Sequence, residues 1–214
     1  WVELLRGFAS DNDLQFIPAS FPRGPEVDGK LNGVPTQIDS YTQGSGKNRT
    51  LYSRIRMSPE IPPDLQIGKE SYFTGLSQKL MGEDIQTGLP LFDDTFVLKG
   101  VTRSLALSFL GSSSRDALWR TVRTGATVVD DGTLTYRKSG YIQGDAELRT
   151  QVDLLCALAG ALTEFAHRPA AGLLHHATED PDAGYRSRCL QALLSDFSTS
   201  DEAVTGLAVA AEST

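Results

Sequence analysis

The chain has 214 residues, of which 40% are hydrophobic and 22% are charged. That composition supports a sizeable core and excludes collagen, small disulfide scaffolds and mostly disordered chains. Acidic residues outnumber basic ones by 27 to 20, and the net charge of −7 disfavours nucleic acid and anionic membranes as partners. No apolar run reaches the roughly 18 residues of a membrane helix, so no membrane insertion is expected within this chain.

The two cysteines, Cys156 and Cys189, lie in separate helical patterns and form no CxxC motif. This usage predicts buried, reduced thiols and favours a cytoplasmic location. The chain begins at Trp1 rather than at Met, so the sequence by itself is interpreted as a fragment of a longer protein.

The first part of the chain has mainly strand character. Residues 1–8 have the spacing of a short amphipathic helix, and strand patterns follow at residues 14–17 and 34–41. Between these strands, Asp28-Gly29 and Asn32-Gly33 are dipeptides typical of tight hairpin turns. Further short strands are expected at residues 65–67 and 96–99.

The clearest strand pattern covers residues 51–57, where hydrophobic or small residues alternate with larger polar ones. The alternation predicts that Tyr52, Arg54 and Arg56 share the outer face of a half-buried strand. With Lys47 and Arg49 nearby, this face is a candidate for binding an anion or a partner. The alternative is a solvated strand face whose arginine stems cover apolar surface.

The pattern becomes mixed after residue 112. Ser113 or Ser114 is expected to cap a helix that Gly125 ends in the left-handed conformation. Asp131-Gly132 then joins two strands rich in β-branched residues, and a long apolar helix begins near Asp145. We therefore predict an α+β fold, with a mixed or mainly antiparallel sheet of hairpins covered by helices. Pro169 follows the long helix and suggests two domains, residues 1–168 and a helical segment at 169–214.

The helical segment contains one family resemblance. Residues 179–194 read EDPDAGYRSRCLQALL, which is similar to the acidic-Pro-x-x-x-Arg-x-x-x-Leu-x-x-Leu start of a HEAT-like helical repeat. The resemblance covers about one repeat and implies a stacked helical array whose surface binds other proteins. Stacked repeats need about three neighbours for stability, so these helices are expected to pack on the α+β domain, cap an array or fray.

A second candidate site is the loop at residues 84–94, which carries Asp84, Asp93 and Asp94 among apolar residues. Paired carboxylates can act in acid/base chemistry or hold a hard cation, although this spacing matches no calcium loop. The alternative is that these residues build turns in a loop anchored to the core.

The remaining motifs predict no catalytic centre. His175 and His176 are adjacent, point about 100° apart on a helix, and are expected to be solvated rather than to bind a metal. Neither a nucleophilic triad nor a dinucleotide fingerprint occurs, so no cofactor is expected. The sequence favours a non-catalytic interaction or scaffold module with a protein partner. The alternatives are a small-ligand or cation-binding domain, hydrolytic or not, that uses the 84–94 loop, and an anion sensor built on the basic strand face.

Overall fold

The computed structural model describes residues 1–21, 23–72 and 84–212. Its α-helices are α1 (Val2–Asp11), α2 (Pro90–Asp93), α3 (Arg103–Phe109), α4 (Ser112–Thr124), α5 (Asp145–Thr163), α6 (Pro169–Glu179), α7 (Ala183–Asp196) and α8 (Asp201–Glu212). Its strands are β1 (Gln15–Ile17), β2 (Glu26–Leu31), β3 (Val34–Gln43), β4 (Thr50–Met57), β5 (Gln66–Gly68), β6 (Val97–Lys99), β7 (Ala126–Asp130) and β8 (Thr133–Ser139). Short 3-10 turns occur at Gly46–Asn48 and Glu70–Tyr72.

The eight strands form one antiparallel sheet in the order β1-β2-β3-β4-β8-β7-β5-β6. Four helices, α5 to α8, follow the last strand, and the others precede or separate strands, so the predicted α+β class is confirmed. The strand order explains how the predicted hairpins combine: the β2-β3-β4 meander joins the β7-β8 hairpin through β4 and β8.

Two of the three predicted turn dipeptides join strands. Asn32 and Asp131 both adopt positive φ angles, and each is followed by a glycine that does the same, as tight antiparallel hairpins require. The prediction for Asp28-Gly29 was wrong, because both residues lie inside β2. Glycine nevertheless suits this strand position, because φ at Gly29 is +156° and the side chain of Leu14 lies 2.7 Å from the position that a Cβ would occupy.

One face of the sheet is buried under helices. The helices that pack on its strands are α1 on β1 and β2, α4 on β7, and α5 on β4 and β8. In the middle of the central strands, alternate residues point to this face and are inaccessible to solvent, including Ile38, Ile55 and Tyr136. The residues between them point to the opposite face, where they remain half-buried or exposed and are mostly polar or charged.

The C-terminal helices share buried contacts with the rest of the chain. Helix α3 packs against α6 and α7. Leu173, Tyr185 and Leu193 of those helices belong to the same hydrophobic cluster as the residues under the sheet. The division into two domains near residue 168 stays a prediction.

Two predicted details of α4 were wrong. The helix begins at Ser112 with Gly111 as its N-cap residue, and the hydroxyl of Ser114 donates to the carbonyls of Phe109 and Gly111 instead of capping the helix. Gly125 is extended rather than left-handed. A side chain at Gly125 has no space, because the ring of Tyr136 and the carbonyl oxygen of Arg137 lie 2.5 and 2.6 Å from its Cβ position.

Candidate functional site

The basic strand face predicted from the sequence exists on β4. Ser53, Ile55 and Met57 are buried against the helices, whereas Tyr52, Arg54 and Arg56 lie half-buried on the open face. The period of two in this strand therefore predicted the direction of each side chain correctly.

The neighbouring strand supplies a carboxylate to both arginines. Asp39 of β3 lies opposite Arg54 in the antiparallel register. Its two oxygens accept from Arg54 Nε at 2.9 Å and Arg54 Nη2 at 2.5 Å, and Oδ2 also lies 3.3 Å from Arg56 Nη2. The hydrogen bond to Asp39 raises the pKa of the Arg54 guanidinium, against the opposing effect of burial. Bidentate pairing fixes the plane of this guanidinium on the sheet.

Aromatic rings extend the same surface. Tyr41 and Tyr52 are cross-strand partners whose rings stack with centroids 5.5 Å apart. The guanidinium carbon of Arg54 lies 4.7 Å from the centre of the Tyr41 ring. Stacking and cation-π contact thus hold Arg54 between an acid and an aromatic ring.

Arg56 has a less complete set of partners. Its Nη2 donates to the side-chain oxygen of Gln37, whose amide in turn donates to Glu26 on β2. Its Nε is buried and has no acceptor among the described residues. A buried N–H without an acceptor is unfavourable, so Arg56 retains hydrogen-bonding capacity that its neighbours do not use.

These residues, except Tyr52, line a groove of about 540 Å³ on the open face of the sheet. Its charged lining consists of four arginines and two carboxylates: Arg23, Arg49, Arg54, Arg56, Glu26 and Asp39. The rest of the lining consists of Gly24 and four polar residues of β3: Gln37, Ser40, Tyr41 and Thr42. The groove is therefore cationic, although the chain as a whole carries a net charge of −7.

The second candidate, the 84–94 loop, uses its carboxylates to hold backbone. Asp84 Oδ1 accepts the backbone N–H of Leu98 at 2.8 Å, and the N–H of Ile85 donates to the carbonyl of Leu98 at the same distance. These two bonds occupy the outer edge of β6, the last strand of the sheet. Asp84 thus closes a sheet edge.

Asp93 has a similar structural role. Its oxygens accept from the backbone N–H groups of Thr87 and Gly88 and from the Thr87 hydroxyl, at 2.7 to 2.9 Å. Arg188 of α7 lies directly over Gly88, so this loop also packs on the helical segment. Asp94 is exposed and ends α2. In the described parts of the chain, no three His, Cys, Asp or Glu side chains are placed to hold a metal ion. The geometry therefore favours the turn-building alternative for this loop.

A buried polar cluster, which sequence reasoning missed, joins α4 to the C-terminal helices. Arg115 of α4 donates to the carbonyl of Leu110 at 2.7 Å and to Asp180 at 2.9 Å, with its guanidinium 4.3 Å from the centre of the Tyr185 ring. The Asp180 side chain is fully buried. The Tyr185 hydroxyl donates to the carbonyl of Leu107 on α3 at 2.9 Å.

His176 belongs to this cluster, so the prediction that it is solvated was wrong. Its Nε2 lies 3.0 Å from the carbonyl of Ser108, which fixes the proton on Nε2 because a carbonyl only accepts. Burial, with a smaller contribution from His175, lowers the pKa of His176 to about 4. The ring occupies the space next to Gly111, where a Cβ would clash with it. His176 is therefore a neutral packing residue at neutral pH.

The same cluster is unsuited to ligand binding. It borders a cavity of about 50 Å³, which has room for a few water molecules rather than for an organic ligand. Burial also raises the pKa of the nearby Cys189 thiol to about 12, so this cysteine is not a thiolate nucleophile at neutral pH.

The residues that carry the HEAT-like resemblance have local roles here. Asp182 caps α7 by accepting from the backbone N–H of Tyr185 at 2.7 Å, and Arg186 donates to the carbonyl of Asp180 at 2.8 Å. Both contacts stabilise the turn between α6 and α7. Nothing in this helix pair identifies a HEAT repeat, and membership of that family stays a prediction.

Comparisons with known proteins leave the chain without a family. No protein-family model and no curated protein match it. One solved structure, the mycobacterial trehalose monomycolate transport factor A (TtfA), aligns with 75% of this chain and 93% of its own, at 7% identity and a TM-score of 0.49. Similarity at that level carries no argument about function. Among the described helices, none has the length and apolar character needed to cross a membrane.

Sequence reasoning identified only part of the groove. It found Arg54 and Arg56, with Arg49 nearby, but not Asp39 or Gln37, which alternate with Thr36 and Ile38 on the partner strand. Tyr52 does not line the groove itself but stacks on Tyr41, which does. The signal was present, since a hairpin between β3 and β4 brings the polar positions of both strands to one face. It was not decisive, because a one-residue change of register would have turned Asp39 to the buried face.

Proposed function

We propose that this protein is a non-catalytic interaction module that binds an acidic segment of another protein in the cationic groove. The observation that carries the proposal is the segregation of charge. Four arginines and only two carboxylates line one groove on the open face of the sheet, so its lining is net positive in a chain whose net charge is −7. Charge of one sign that is concentrated in a cleft steers oppositely charged partners to it.

The chemistry of the lining favours a polypeptide over a small anion. Compact phosphate sites use the clustered backbone N–H groups of helix N-termini or glycine loops. This groove instead distributes guanidinium, hydroxyl and amide groups along the side chains of extended strands. Arginine and tyrosine are also the side chains enriched at the centres of protein interfaces.

Exposed residues at the rim provide a point of first contact. Arg23 and Arg49 are exposed, and neither forms an ion pair with any residue that the structure describes. Phe21, which is completely exposed, lies two residues from Arg23. An aromatic ring beside a cation suits an acidic segment that also carries an apolar residue. A cytoplasmic location remains part of this proposal, supported by the two free thiols.

The test is binding of a short fluorescent peptide rich in Glu and Asp, measured by anisotropy at low and high salt. Its control is the same peptide with Gln and Asn in place of the acids. Changing both rim arginines to alanine (Arg23→Ala with Arg49→Ala) should weaken binding about tenfold, since each rim charge contributes up to about 1 kcal/mol.

The matched control removes two exposed arginines from α4 instead, Arg120→Ala with Arg123→Ala, and should change affinity less than twofold by rough expectation. Equal losses in the two double variants would mean that only net charge matters and would contradict the proposal. Tighter binding of inorganic phosphate, or of vesicles containing phosphatidylserine, than of the peptide would also contradict it.

A further inference from the structure

Asp39 occupies the place in the groove where a partner's carboxylate would bind. It contacts both inner arginines, Arg54 through two hydrogen bonds and Arg56 through a longer one. Its own side chain is only 14% exposed, whereas the two arginines are 25% and 34% exposed. The Asp39 side chain is therefore less accessible to solvent than the two arginine side chains with which it pairs.

The four arginines of the groove consequently fall into two classes. Arg23 and Arg49 at the rim have no carboxylate within ion-pair distance among the described residues. Arg54 and Arg56 inside the groove share the single charge of Asp39. A ligand carboxylate that reaches the inner pair must compete with Asp39, which is held in place by β3 and loses no freedom on binding.

Arg56 indicates that the internal pairing is incomplete. One carboxylate serves two guanidinium groups, its contact with Arg56 is 3.3 Å long, and the Nε of Arg56 has no acceptor among the described residues. The Nε is buried, so an acceptor from outside would instead contact the part of the Arg56 side chain that is open to solvent, where it would add charge compensation that Asp39 supplies only through a long contact.

We infer that Asp39 is an internal competitor that sets the affinity and selectivity of the groove for acidic segments. This inference rests on the proposed function of the groove. A segment with an isolated negative charge binds only at the rim, whereas a segment with closely spaced charges reaches the rim and the inner arginines together. Asp39 thereby selects densely acidic partners over the many proteins that carry scattered Asp and Glu residues.

The decisive variant is Asp39→Asn, which removes the charge and keeps an oxygen that can accept from Arg54. The acidic peptide should bind this variant about five- to tenfold more tightly than the wild type at low salt, because two guanidinium groups lose their internal counter-ion. The gain should shrink at high salt. The affinity for a peptide with one isolated acid should increase more than the affinity for the densely acidic peptide. The ratio of the two affinities should therefore be smaller for Asp39→Asn than for the wild type.

The matched control is Asp28→Asn. Asp28 is exposed on the open face of β2, next to Gln37 in register, and forms no ion pair with the described residues. Both variants change the net charge equally, so equal gains in affinity would overturn the inference. Weaker binding by Asp39→Asn would also overturn it, because Asp39 would then be an orienting residue that helps the arginines bind.

The outcomes separate this inference from the proposed function. If the wild type binds the peptide through its rim arginines and Asp39→Asn binds no more tightly, the proposed function of the groove is supported and the role of Asp39 as a competitor is contradicted. If only Asp39→Asn binds the peptide, Asp39 prevents binding in the wild type, which supports its role as a competitor. If neither protein binds, both ideas fail. Thermal unfolding of Asp39→Asn and of a second variant, Asp39→Ala, verifies that the binding data come from folded protein.

Discussion

Two of the arginine-aspartate pairs in the described part of the chain differ in their surroundings. Arg115 and Asp180 meet in the core between α4 and the turn before α7, where the aspartate is fully buried and the arginine side chain is 11% exposed. Arg54 and Asp39 meet on the open face of the sheet, where the arginine is 25% exposed. The same two functional groups are therefore placed differently: the buried pair links α4 to the turn before α7, and the pair on the open face keeps partial contact with solvent.

The largest effect should come from removing Asp180. Asp180→Ala leaves the buried guanidinium of Arg115 without its counter-ion and takes away the acceptor for the backbone N–H of Asp182. We expect a loss of about 3–5 kcal/mol in the free energy of unfolding, measured by urea denaturation. A loss below about 1 kcal/mol would mean that the buried pair stabilises the fold no more than a surface pair does, which contradicts the comparison.

The pH dependence of stability probes the same buried region. The pKa of His176 is lowered to about 4 in the folded state, against about 6.5 in the unfolded chain. Above pH 6.5 His176 is neutral in both the folded and the unfolded state, and its contribution to the free energy of unfolding is fully present. As the pH falls from 6.5 toward 4 the unfolded state takes up the proton first, so stability decreases, by up to about 3 kcal/mol.

Comparison with His176→Gln isolates this contribution, because glutamine retains a donor for the carbonyl of Ser108. Urea midpoints between pH 4 and pH 7 should fall more steeply for the wild type than for the variant. Parallel curves would mean that His176 is accessible to protons in the folded state.

A steric change at the same junction should have a smaller effect. Gly111→Ala places a methyl group against the His176 ring, and relieving that overlap should cost about 1–3 kcal/mol. Gly7 in α1 has nothing near its Cβ position, so Gly7→Ala should stabilise the protein by about 0.5–1 kcal/mol. Thermal unfolding of the two variants should therefore shift in opposite directions.

The smallest effect on stability is expected on the open face. Arg54→Ala removes an ion pair in contact with solvent and should cost less than about 1 kcal/mol. The same change should weaken binding of the acidic peptide severalfold. A larger effect on unfolding than on binding would show that Arg54 is a structural residue and that the two pairs resemble each other after all.

The sequence was informative where the causes are local. Alternation in β4 predicted the outer face that carries Arg54, and Asp131-Gly132 predicted its hairpin, because both signals depend on neighbouring residues. The partner of Arg54 was harder to predict, since it depends on register across a long hairpin. The partner of Arg115 could not be predicted from the sequence, because Asp180 is 65 residues away and contacts Arg115 only through the packing of three helices.

The roles of two glycines were also difficult to predict from neighbouring residues alone. Gly125 and Gly29 were both expected to supply unusual backbone angles at a helix end and a turn. Gly125 is extended and is required instead because the Tyr136 ring lies against it. Gly29 does have a positive φ, of 156°, but inside a strand rather than in a turn, and the Leu14 side chain lies against it. Close approach between distant segments leaves no signature in the local sequence.

The hydrogen bond between the Tyr185 hydroxyl and the Leu107 carbonyl limits when α3 can complete its packing during synthesis. The two residues are 78 positions apart, and the carbonyl of Leu107 lies on a helix that the ribosome releases long before α7 exists. The side of α3 that packs on α6 and α7 in the folded protein is therefore exposed to solvent until the C-terminal helices emerge. A ribosome-bound chain that stops before Tyr185 should thus be a substrate for chaperones that recognise exposed apolar surface, even though every strand of its sheet has already been made.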